Sequence, residues 1–67
     1  MTKLAKHRRM LGLSQHELAR RAEVKISRLI FAETGRVRLT QSEVDRIRLV
    51  LTQRARRVAI ALAVVEL

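Results

Sequence analysis

The residues of this chain best supplied for chemistry are its cations. Fifteen Lys and Arg stand against six Asp and Glu, a formal net charge of +9. Twelve of the fifteen are arginine, whose planar guanidinium makes bidentate contacts to phosphates and base edges that a lysine ammonium cannot. That balance favours a polyanionic partner. The plainer reading is a solvated basic surface. Other chemistry is thinly provided. There is no cysteine, hence no disulfide and no thiolate metal site. His7 and His16 miss the i, i+4 spacing of a helical metal pair, so both are read as solvated and no metal or cofactor is expected. No nucleophile, base and orienting group cluster at a plausible spacing, and so small a core offers no deep pocket. An enzyme is not expected.

The elements that must position these cations follow from local signals. Sixty-seven residues make one small domain near the lower limit for a self-sufficient core. Residues 3–11 form a basic amphipathic helix with Leu4, Ala5, Arg8 and Leu11 on one face and Lys3, Lys6, His7 and Arg9 largely outward. Gly12 ends it. Ser14 followed by Glu17 reads as a capping box for a second helix over 15–22, with Leu18, Ala19 and Ala22 inward. A third helix spans 26–34, with Leu29, Ala32 and Glu33 facing the first two, and Gly35 stops it. Thr40 with Glu43 gives a second capping box and a fourth helix, its inward stripe Val44, Ile47 and Leu51. From Thr40 onward there is no glycine or proline, and Thr52 offers a weak cap for a fifth helix. Strand signals are absent, so the chain is all-α.

With these elements placed, the chain resembles the helix-turn-helix domain of the Cro and phage-repressor (XRE-like) family over about residues 4–51. The resemblance rests on Arg8, the GLSQ of 12–15, the ELA of 17–19, Val24, the E-x-G of 33–35, and Val44, Ile47 and Leu51. It implies a bundle of four to five helices of the phage-repressor type, with a long or extended C-terminal helix. Residues 1–52 would be the DNA-binding domain, the helix-turn-helix proper being 14–35, and 53–67 an apolar C-terminal helix for dimerisation. Members of the family bind operator DNA, usually as two-fold dimers. Carried over by position, Gln15 would meet a phosphate at the N-terminus of the second helix. Arg8 would pair with Glu33, tying the first helix to the recognition helix; otherwise Arg8 simply joins the basic face. Ile26, Ser27, Ile30 and Phe31 fall where the family reads base edges, with Lys25 beside them and Arg28 as a phosphate or base contact. Arg36 and Arg38 would grip the backbone.

The departures from the family pattern are specific. Glu23 occupies a turn position that is usually glycine and often needs positive φ, so either strain or a different turn is expected. Lys25 replaces the usual Ser or Thr cap, a loss of roughly 1 kcal/mol. Arg48 stands where the fourth helix usually has a small inward residue. Ile26, Ile30 and Phe31 are apolar where polar readers are usual; they could meet thymine methyls, pack as core on a rotated helix, or form a protein-binding patch. Phe31 is the sole aromatic, which argues against single-strand stacking.

The tail joins a basic cluster, Arg54, Arg56 and Arg57, to the apolar run 58–65. Val44, Leu51, Val58 and Val65 recur every seven residues, with Ala55 and Leu62 on a neighbouring line. Such a run could pack as a last helix on the first and fourth, but it exceeds what one buried face needs. A second subunit covering Val58, Leu62 and Val65 is therefore expected, giving a homodimer. The run falls short of the ~20 residues that span a bilayer, and no secretory signal is visible, so no membrane partner and a cytoplasmic, nucleoid-associated location, bacterial or phage-encoded, are expected. The expected function is sequence-specific double-stranded DNA binding by a dimeric repressor. The alternatives are a protein-interaction module (antitoxin-like, or a transcription-machinery partner) working through Ile30, Phe31 or the tail, and a non-specific nucleoid-type binder.

Overall fold

A computed structural model describes residues 2–58. They form four helices, α1 (Lys3–Met10), α2 (Gln15–Ala22), α3 (Ile26–Glu33) and α4 (Gln41–Arg57), with no strand among the described residues. Three starts are capped by side chains: Thr2 accepts from the Ala5 N–H, Ser14 from Glu17, and Thr40 from Glu43. Each cap contributes about 1 kcal/mol. Only α4 carries the full reciprocal box, the Glu43 carboxylate accepting from the Thr40 N–H at 2.9 Å. In α2 the Ser14 half is present, and Glu17 instead pairs with Arg21 one turn on, at 3.0 Å. Lys25 makes no side-chain cap at α3.

The three short helices end alike. In each, the residue after the last helical carbonyls turns left-handed, and two backbone bonds fold back over the final turn. For α1 these are Leu13 N–H to Arg8 O and Gly12 N–H to Arg9 O; for α3, Arg36 N–H to Phe31 O and Gly35 N–H to Ala32 O. For α2 they are Val24 N–H to Ala19 O and Glu23 N–H to Arg20 O. The left-handed residue is glycine in two cases, at φ 71° and 78°, but Glu23 takes the same conformation at φ 56°, ψ 45°. Of the two outcomes expected for a glutamate in the turn, the geometry is kept and the residue is strained.

The core is aliphatic. Leu11, Leu18, Leu29, Ile47 and Leu51 are its fully buried large side chains, each stabilising by roughly 2–3 kcal/mol on leaving water. Leu4, Leu13, Val24 and four alanines or valines of α2 and α4 complete it, with Ile26, Ala32 and Leu39 packed against the edge. Some expectations need correcting. Thr52 begins no fifth helix; α4 runs through it to Arg57, because threonine inside a helix costs only tenths of a kcal/mol. Val44 is only partly buried, while Val50 and Ala55 join Ile47 and Leu51 inside. Arg48 is exposed, not inward. His7 is half-buried, not fully solvated. Leu62 and Val65 lie outside the described residues. No helix among the described residues is long and apolar enough to cross a membrane.

The strain at Glu23 can be measured. A left-handed L-residue costs about 1–2 kcal/mol, partly offset by the greater unfolded-state freedom of glycine. Glu23→Gly should therefore gain ~0.5–1 kcal/mol, a rise of roughly 4 °C in the melting midpoint of so small a domain. An unchanged or lower midpoint would mean that the turn holds glutamate without strain.

Candidate nucleic-acid interface

The α3 helix is held from both ends by ion pairs. Near its C-terminus Glu33 lies against Arg8 of α1: Arg8 Nε donates to Oε2 at 2.7 Å and Nη2 to Oε1 at 3.0 Å. Arg8 Nη1 donates to the Leu13 carbonyl at 2.8 Å. Both residues are buried, at 8% exposure each. Gln15, the first residue of α2, donates from Nε2 to Glu33 Oε1 at 3.0 Å. The residues Arg8, Glu33 and Gln15, separated by up to 25 positions, thus form one bonded cluster. Gln15 remains half-exposed at the N-terminus of α2, and Glu33 fixes the orientation of its amide.

Near the other end, Arg28 meets Glu43 of α4. Arg28 Nε and Nη2 donate to the two carboxylate oxygens at 2.7 Å each, while Glu43 also closes the cap of α4. The bonds from Arg28, then the Thr40 N–H, bring the Glu43 carboxyl down to about 2 against the opposing effect of burial, and Arg28 is raised by the same contact. Expected as a phosphate or base contact, Arg28 has a carboxylate as its partner within the chain. The reason is helical position: two residues past the first residue of α3, its side chain points at the start of α4.

What remains on the outer side of α3 is uncharged. Ser27, Ile30 and Phe31 share one face by i, i+3, i+4 spacing, and all three are exposed, Ile30 at 38% and Phe31 at 43%. Neither is core. Ile26 is different: it is half-buried and packs on the core edge. Lys25 is exposed at the start of α3, and Arg36 and Arg38 are exposed just beyond its end. The Arg36 N–H bonded to Phe31 O at 2.8 Å keeps that loop against the helix terminus.

Two arginines, Arg46, which the sequence did not single out, and Arg54, read there only as part of a basic cluster, bind helix ends. Arg46 Nε donates to Ala22 O at 2.9 Å and Nη2 to Glu23 O at 3.4 Å, at the close of α2. Arg54 Nε donates to Leu11 O at 3.0 Å, at the close of α1. No local signal marks either, since the acceptors are backbone atoms 24 and 43 positions away. Among the described residues no group of three His, Cys, Asp or Glu could hold a metal ion.

A family model described as helix-turn-helix matches residues 4–52, which covers α1 from Leu4 onward, α2 and α3 whole, and α4 as far as Thr52. No curated protein and no solved structure gives a match.

The Arg28–Glu43 contact has a pH signature. Because the folded carboxyl lies near 2, below its unfolded value of about 4.3, the contact's contribution is present above the unfolded value and lost as pH falls through the folded one. Stability should decline between about pH 4.5 and 2, and Glu43→Gln should flatten that limb while lowering stability at neutral pH. Urea midpoints across pH 2–7 test it; a limb unchanged in the variant would assign acid sensitivity to another carboxylate.

Proposed function

The chain belongs to the XRE-like helix-turn-helix family of Cro and the phage repressors, a family of DNA-binding regulators, and on that premise we propose that it is a sequence-specific repressor acting as a homodimer. One observation carries the reading: an exposed helix face, fixed at both ends from within, is bracketed by Lys25 on one side and Arg36 and Arg38 on the other. Eight residues of α3 rise about 12 Å, comparable with the ~12 Å width of the major groove. Cations at the two ends of such a helix can meet phosphates flanking the groove its middle enters. Phosphate contacts of this kind supply affinity and set register. Gln15, turned by Glu33 at the N-terminus of α2, adds a neutral donor where the helix dipole favours an anion.

The two-fold contact is assigned to the apolar C-terminal run. Val58, which caps α4, is exposed at 38%, and continues the stripe on which Leu51 and Ala55 are buried. Two copies joined there would present their α3 helices to half-sites about one turn, ~34 Å, apart. The site of action is the nucleoid, in the cytoplasm.

Selection of bound duplexes from a random pool should return a pseudo-palindromic consensus. Affinity for that consensus should fall steeply with salt, and Arg36→Ala and Arg38→Ala should each lower the salt slope by about one. Equal affinity for all sequences would replace this reading with a nucleoid-type binder. Retention of protein partners with no duplex binding would replace it with an interaction module. Separately, a chain ending at Arg57 should sediment as a monomer at concentrations where the full chain is a dimer; a dimeric truncation would move the two-fold contact elsewhere.

A further inference from the structure

The outward face of α3 presents almost no means of reading a hydrogen-bonding pattern. Among its eight residues, ISRLIFAE, the polar ones are Ser27, Arg28 and Glu33. Arg28 is held by Glu43 and Glu33 by Arg8 and Gln15, so the face keeps one hydroxyl. Beside it stand Ile30 and Phe31, large, apolar and exposed.

In the major groove every base pair offers donors and acceptors, but the only apolar group on a base edge there is the thymine 5-methyl. An isoleucine or phenylalanine pressed on a G·C edge strips water from O6, N7 and N4 and returns no hydrogen bond, which is unfavourable. Pressed on thymine, the same side chain buries a methyl. Selection thus comes from the attraction and from the penalty together. The flanking Lys25, Arg36 and Arg38 make a polyanion, not an apolar protein surface, the complementary occupant of this patch. We propose that Ile30 and Phe31 select thymine through its 5-methyl group, so that the half-site carries thymines where α3 enters the groove. This rests on the DNA-binding reading above and specifies its substrate.

Deoxyuridine, which pairs as thymine does but lacks the methyl, tests it directly. In the selected duplex, each thymine is replaced by deoxyuridine in turn and affinity is measured with the full chain at fixed salt. One to three positions per half-site should each show about a four-fold loss, with no loss outside the α3 footprint. In Ile30→Ala or Phe31→Ala protein the thymine and deoxyuridine duplexes should bind alike at the position that side chain covers. The proposal is overturned if deoxyuridine at every position leaves affinity within about two-fold while sequence preference and salt dependence persist. It is equally overturned if the loss is the same in both variants, because the methyl then acts through duplex shape. A chain that prefers no duplex at all defeats the DNA-binding reading instead.

Discussion

The Arg8–Glu33 pair is the constraint on which the rest of this small structure depends. Burying two opposite charges costs several kcal/mol per ion before their attraction and hydrogen bonds repay it. Here the repayment is extensive: three guanidinium nitrogens and both carboxylate oxygens are bonded, with Leu13 O and Gln15 Nε2 filling the remaining places. The net stabilisation of such a pair is small, and its value lies in direction. An aliphatic core of leucines attracts α3 without fixing how the helix is rotated, since burial is non-directional. A bidentate bond from α1 to the last residue of α3 fixes that rotation, and through Gln15 it aligns the start of α2 as well. Breaking one partner would leave an uncompensated buried charge.

The long α4 helix extends the same principle to the other joints. Glu43 holds Arg28 of α3, Arg46 holds the end of α2, and Arg54 holds the end of α1. All three are charge-assisted bonds, and those of Arg46 and Arg54 go to helix-end carbonyls that lack a partner within their own helix. The α2 turn gains most, because Glu23 stands there in a left-handed conformation and Arg46 binds carbonyls on both sides of it. A portion of the +9 charge therefore serves the fold, and the cations left for a partner are fewer than composition suggests. Those left among the sequence-assigned residues, Lys25, Arg36 and Arg38, sit at the two ends of α3.

What could be read from sequence follows from how far each interaction reaches. Caps and stops are local: Ser14, Thr40, Gly12 and Gly35 act within three residues, and the helices they bound were legible. The apolar stripes of α1 and α2 were equally plain, because burial repeats with helical period. The end of α4 was not, since no glycine or proline marks it and a capping residue such as Thr52 also fits inside a helix. Arginine was the least legible residue. Its side chain is long and its acceptors here are carbonyls or carboxylates 15 to 43 positions away, so charge and spacing do not identify the partners that Arg28, Arg46 and Arg54 have within the fold. Only the family resemblance reached across 25 residues to join Arg8 with Glu33. Ile26 was placed by the resemblance alone; its half-burial as the first residue of α3, at the boundary between the packed and open sides, was not legible from spacing.

These partitions bear on how the interface works. The charged residues of α3 are paired within the fold, Glu33 buried against Arg8 and half-exposed Arg28 against Glu43, while its apolar residues Ile30 and Phe31 are exposed. Charge spent within the fold makes the helix rigid in rotation and along its axis. An apolar outer face needs that rigidity more than a polar one does, because hydrogen-bonding side chains can adjust their torsions to a shifted edge while a methyl contact weakens over a fraction of an ångström. Affinity can come from Lys25, Arg36 and Arg38 at the ends, where the phosphate lattice is the same for every sequence. On the proposed reading, discrimination then falls to Ile30 and Phe31, two side chains on a helix whose position is set by ion pairs they do not form.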